Sequence, residues 1–170
     1  MKSLVSLNRY EIIKNVGREY QPHIKLVEDR ETHIIFVAKT IELSCNQGKT
    51  DLNSGFQIMG KLHHPTINNM IGFSYNNFFG DDYLTLILEY VSNGNLKEFL
   101  ELKEIDDTIR QIIITGISRS ILFLNENNLS HNDINSHKIL IDDKIHPHLS
   151  ITTFIEQKEY VQIFALKVLI

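Results

Sequence analysis

The chain has 170 residues, 42% hydrophobic and 22% charged, which specifies a folded globular protein and excludes a disordered one. A formal net charge of −4 lacks the basic excess of a nucleic-acid binder, and no apolar run approaches the roughly 18 residues of a membrane span. The single cysteine, Cys45, cannot close an internal disulfide, and "MKSLVSLNRYEIIKNV" is too often interrupted by polar residues to be a signal peptide. A cytoplasmic protein is expected, without nucleic-acid or membrane partners.

The first third alternates like strands. "YEIIKNVG" stops at Gly17, and "HIKLVEDRETHIIFVAKTIEL" holds two β-branched runs around the polar connector "EDRETH", which predicts a hairpin. Residues 44–56, "SCNQGKTDLNSGF", read as a loop or a poor helix. In "FQIMGKL", Phe56, Met59 and Leu62 recur at helical spacing, and Pro65 then forces a turn before the strand of "HHPTINNMIGFS". "DDYLTLILEYV" is apolar and β-rich enough for a buried strand. "LKEFLELKE" predicts a short helix with apolar Leu96, Phe99 and Leu100. The clearest helix runs from about Asp107 to Leu124, capped by Asp106 or Asp107, with a wide apolar face of Ile109, Ile112, Ile113, Ile117, Ile121 and Leu124. "KILID" and "PHLSI" are predicted strands flanking the turn "DDKIH", and "EYVQIFALKVLI" is a final helix. Strand signals followed by helices indicate an α+β chain with a small N-terminal antiparallel sheet.

Metal and thiol chemistry find little support. His63 and His64 precede Pro65, and His131, His137, His146 and His148 are scattered over loops without cysteine partners or an H-E-x-x-H helix. No structural metal is expected, and nothing locates a base beside Cys45.

The order of the segments carries more. "VGREYQPHI" lies between two strands, "FVAKTI" ends a third on Lys39, and "KLHHPTINNMIGFS" joins a helix to a strand. "LILEYVSNGNLKEFL" and "LSHNDINSHKILID" follow in turn. In this order and spacing they resemble a protein kinase catalytic domain over nearly the whole chain, and "NSH" favours its tyrosine-kinase-like, Ser/Thr branch. The resemblance implies an N-terminal sheet lobe with one helix and hinge over about residues 8–91. An incomplete, mainly helical C-terminal lobe would follow over about 92–170, with "YVQIFALKVL" as the start of its central helix. It also implies ATP as cofactor, Lys39 on the phosphates and Asp133 as catalytic base.

Several slots depart from the family pattern. The three glycine positions of the phosphate loop read Gly17, Glu19 and Pro22, so only the first survives, and a plain hairpin turn is the better reading. The carboxylate that should hold Lys39 falls at Gly55, with Asp51 as a substitute one turn earlier. Without it, Lys39 is a strand lysine whose stem covers apolar surface. Asn132 replaces the arginine that pairs with a phosphorylated activation segment. Five residues after Asp133, the metal-binding asparagine is Lys138, whose ammonium repels Mg²⁺. The second metal-binding motif reads Ile151, Thr152 and Thr153, and Asp142 and Asp143 are expected exposed in a turn. Only a short gap separates Ser150 from Tyr160, too little for an ordinary activation segment. The purine slot is lined as the family requires by Ile24, Val37, Leu88, Glu89, Val91 and Leu140, residues that would serve equally as core.

The resemblance with these losses implies a pseudokinase: a binding or scaffold module for a protein partner, with both Mg²⁺ sites lost and ATP binding weak or absent. Lys138 suggests a metal-independent form, its ammonium replacing Mg²⁺ as the phosphate counter-charge. The alternatives are an active Ser/Thr kinase and a truncated kinase fragment without function of its own.

Overall fold

The computed structural model describes residues 4–16, 23–41, 59–151 and 156–157. They fall into two units, one comprising Met1–Lys61 with Asn69–Tyr90 and the other Leu62–Asn68 with Val91–Ile170.

In the first unit the alternating runs form β1 (Tyr10–Asn15), β2 (Ile24–Asp29) and β3 (Ile35–Ile41). After β4 (Ile67–Asn68), which belongs to the second unit, come β5 (Met70–Asn76) and β6 (Asp82–Glu89). The sheet order is β1-β2-β3-β6-β5, with every neighbouring pair antiparallel. The predicted hairpin between β2 and β3 is closed by Asp29. Its Oδ1 accepts the Glu31 amide at 2.9 Å, its carbonyl accepts the His33 amide at 2.8 Å, and its Oδ2 accepts Arg9 Nε at 2.7 Å. One side of the sheet is dry: Val27, Ala38 and Ile87 pack with Leu7 and Tyr10 in a buried cluster. Burying a side chain such as Ile87 is worth about 1.5–3 kcal/mol. Thr40 and Thr85 face each other inside the sheet, their hydroxyls 3.2 Å apart, so neither buried oxygen is left unsatisfied.

The second unit is built around the predicted helix, which runs over Asp107–Glu126. It is preceded by a shorter helix, and the two are labelled α1 (Leu96–Leu102) and α2. Asn95 caps α1 by accepting the Glu98 amide at 3.0 Å, and Asp106 caps α2 by accepting the Ile109 amide at 2.8 Å. Next come β7 (Leu129–Ser130), β8 (Ile139–Ile141), β9 (Pro147–Ser150) and β10 (Glu156–Gln157). β9 runs between β8, antiparallel, and β4, parallel. This pairing draws residues 62–68 into the second unit.

α2 packs on β9 and β7, and α1 on β8. The buried stripe of α2 is Ile113, Gly116, Ile117, Ser120 and Leu124. It is narrower than the isoleucine pattern suggested, and Ile112 is exposed. The reason is close approach: a Cβ on Gly116 would lie 2.3 Å from Pro147 Cγ, so the contact centres on the small residues. Ser120 Oγ donates to the Thr66 carbonyl at 2.7 Å in the same seam. On α1 the expected Leu96 and Phe99 are buried, but Leu100 is 43% exposed because it falls off that face. No described helix is long and apolar enough to cross a membrane.

Candidate functional site

The candidate residues divide between the units, and each group has its own geometry. In the first unit, antiparallel pairing sets Ile24 opposite Lys39, Leu26 opposite Val37, and Val37 opposite Leu88. Residues directly opposed across such a ladder share a face. Ile24, Val37, Lys39 and Leu88 therefore stand together on the face turned away from the Val27–Ala38–Ile87 cluster. Leu88 is buried, as are Leu26 and Leu86 on the same face, whereas Ile24, Val37 and Lys39 are half-buried. Glu89 lies at the end of β6, where its Oε2 accepts Asn69 Nδ2 at 3.0 Å and its amide donates to the Asn69 carbonyl at 3.0 Å. An open groove of about 720 Å³, lined by residues including Leu4, Tyr10, Ile12 and Arg30, contains none of the candidates.

In the second unit the loop between β7 and β8 carries Asp133 and Lys138. His131 is its anchor. The ring is 5% exposed; Nε2 donates to the Ser150 carbonyl at 3.0 Å, and the Asp133 amide reaches Nδ1 at 3.3 Å. Burial pushes the His131 pKa down, against the hydrogen bond to Ser150 and the charge of Asp133, which raise it. Asn132 takes φ 58, a left-handed conformation that asparagine tolerates better than most residues. Asp133 Oδ1 accepts Asn135 Nδ2 at 2.8 Å, and Asn135 Oδ1 accepts the His137 amide at 3.0 Å. Lys138 Nζ lies 3.8 Å from Asp133 Oδ2. The Lys138 backbone is pinned on both sides, its amide donating to Asn135 at 2.9 Å and its carbonyl accepting Ser150 at 2.7 Å.

Leu140 pairs with His148 in β8, bridges Asn95, and is half-buried, as is Val91. Ile151 is 4% exposed. Asp142 is less exposed than predicted, because its Oδ1 closes the β8–β9 turn by accepting the Lys144 and His146 amides at 2.9 and 2.7 Å. Its pKa is lowered, the desolvation of burial being outweighed by hydrogen bonds from the His146 amide and His148. Among the described residues no group of three or more His, Cys, Asp or Glu could hold a metal ion. Gly17, Glu19, Pro22, Cys45, Asp51, Gly55, Thr152, Thr153 and the predicted final helix lie outside the described residues.

Sequence reasoning missed three participants: His131, counted only among scattered loop histidines, Asn135 and Ser150. The spacing of His131 two residues before Asp133 was the available signal for the first. Nothing local marks Ser150, whose role comes from pairing with a loop nineteen residues away.

The family model for the protein kinase domain matches residues 10–161. Over 105 residues the chain is 30% identical to serine/threonine-protein kinase ULK3 of Xenopus laevis, covering 61% of the chain and 22% of that protein. Over 119 residues it is 30% identical to cysteine-rich receptor-like protein kinase 18 of Arabidopsis thaliana, covering 66% of the chain and 18% of the relative. The chain thus spans about a fifth of the length of these relatives.

Proposed function

The chain belongs to the protein kinase domain family, and on that premise we propose that it is a pseudokinase, kept as a binding or scaffold module with little phosphotransfer and weak or no ATP binding. The observation that carries this reading is the Lys138 ammonium 3.8 Å from the Asp133 carboxylate. Mg²⁺ in such a loop would need oxygen ligands there, and a lysine offers only donors and a charge of the same sign as the metal. Ile151, buried where a second carboxylate would be needed, adds none. The described residues at these two positions therefore do not fit Mg²⁺. Losing one group of this kind costs on the order of 3 kcal/mol in the transition state, or about a hundredfold in rate.

The competing reading, an active Ser/Thr-type kinase, is favoured by the likeness to a serine/threonine-protein kinase and by the ordered frame of His131 around Asp133. Transfer of labelled γ-phosphate from Mg-ATP to generic protein substrates separates the two. The pseudokinase reading expects incorporation indistinguishable from that of Asp133→Asn. Transfer by the natural chain that Asp133→Asn abolishes would overturn it.

A further inference from the structure

We propose that the groove beside Tyr10 is a binding site for a small uncharged molecule with an apolar body and a carbonyl acceptor, of the primary amide class, held by a hydrogen bond from the Tyr10 hydroxyl. The site lies wholly within the first unit, on the side of the sheet away from Ile24, Val37, Lys39 and Leu88, and owes nothing to phosphotransfer.

At about 720 Å³ the groove falls within the roughly 300–1,000 Å³ of small-molecule sites. Its floor belongs to the buried cluster of the sheet: Leu7 and Tyr10 are members of that cluster, and Val5 and Phe78, packed against it, form the walls. Tyr10 is 5% exposed, its ring edge-on to Phe36 with centroids 6.0 Å apart. Among the described residues its hydroxyl makes no hydrogen bond. A tyrosine so far buried ordinarily finds a partner for its O–H. Phenylalanine would fill the same place in the core, so packing does not account for the hydroxyl. Burial raises the Tyr10 pKa, with Arg9 lowering it and Asp29 raising it, so the group keeps its proton at neutral pH and is a donor.

The surrounding charges select against an ionic ligand. Arg9 and Asp29, whose fields act on Tyr10, are closed on each other at 2.6 Å. At the rim Arg30 and Glu11 lie 3.6 Å apart and offset one another. A carboxylate head would meet Glu11 and Asp29, and an ammonium would meet Arg30 and Arg9. A neutral carbonyl oxygen accepts the Tyr10 hydrogen bond without unbalancing either pair. Its apolar body then covers Leu7, Phe78 and the exposed Ile12.

The test is titration of the full chain with 4-phenylbutanamide, 4-phenylbutanoate and 4-phenylbutylammonium, one apolar body with three heads, followed by protein NMR. The amide is expected to shift the resonances of Val5, Leu7, Ile12 and Phe78 saturably, and both charged forms to bind more weakly. Tyr10→Phe should weaken amide binding about two- to tenfold, the net worth of one hydrogen bond. It should not lower the thermal midpoint of the free chain, because no hydrogen bond is lost there. Ile12→Glu, a charge at an exposed wall position, should abolish amide binding while the chain stays folded. The proposal is overturned by the absence of a saturable shift at these residues, by a charged form that binds as tightly as the amide, or by undiminished binding in either variant. A midpoint lowered by Tyr10→Phe would also overturn it, since the hydroxyl would then already have a partner.

Discussion

His131 Nε2 donates to the carbonyl of Ser150 across 3.0 Å, tying the Asp133 loop to the last residue of β9. With its hydrogen on Nε2, the neutral ring leaves Nδ1 to accept the Asp133 amide at 3.3 Å. Two backbone segments thus depend on one uncharged imidazole.

That dependence makes stability sensitive to acid. Burial depresses the pKa of His131 in the folded chain, while in the unfolded chain it sits near the ordinary value of about 6.5. As pH falls below that value the unfolded state takes up a proton the folded state refuses, so stability is lost. The unfolding midpoint should decline between about pH 7 and 5. His131→Gln should flatten that decline while lowering the midpoint at pH 7, as read by calorimetry across the range. An equally steep decline in the variant would show that another group sets it.

Ile145 in the β8–β9 turn has φ 66, a left-handed conformation that a β-branched side chain resists. Its amide donates to the Asp142 carbonyl at 3.1 Å, so the turn holds it there. Ile145→Gly should raise stability by about 1 kcal/mol, since the strain of a residue in this region is of order 1–3 kcal/mol and glycine returns part as unfolded-state entropy. Chemical denaturation with an unchanged m-value would show it.

Gly116 in α2 sits against Pro147, where an added Cβ would approach Cγ to 2.3 Å and Cδ to 2.8 Å. Glycine to alanine normally favours a helix by about 1 kcal/mol. Here the overlap should reverse the sign, and Gly116→Ala should destabilise by about 1–3 kcal/mol. A stabilised variant would mean that α2 and β9 can separate at no cost.

Asp29 in the β2–β3 turn is held at a pKa of about 2, chiefly by its hydrogen bond from Arg9, against desolvation and with help from the Glu31 and Thr32 amides. Because the folded value lies below the ordinary one, its contribution is present above about pH 4 and is lost as pH falls towards 2. Asp29→Asn should lower the thermal midpoint at neutral pH and narrow its difference from the natural chain in that acid window. A difference constant with pH would count against the Arg9 pairing.

Much of this protein was legible locally. The alternation of "HIKLV" and "IIFVAK", the capping Asp106, the apolar run of β6 and the His–Asn–Asp loop each act within a few residues, through backbone sterics, side-chain period and capping. Those signals were enough for the α+β class, the order of elements and the resemblance in the loop. They also set Lys138 at a fixed spacing from Asp133, on the same loop.

What remained for the tertiary structure was everything that depends on register and close approach between distant segments. Strand pairing alone sets Ile24, Val37, Lys39 and Leu88 on one face. The pairing of β9 with its neighbours brings Ser150 to both His131 and Lys138. The fit of Gly116 against Pro147, not the count of isoleucines, chose which stripe of α2 is buried. The sequence by itself determined that a lysine stands five residues after Asp133. Only the fold decided that its ammonium stands 3.8 Å from Asp133 Oδ2, on a backbone held by Asn135 and Ser150 and beside a carboxylate held by Asn135.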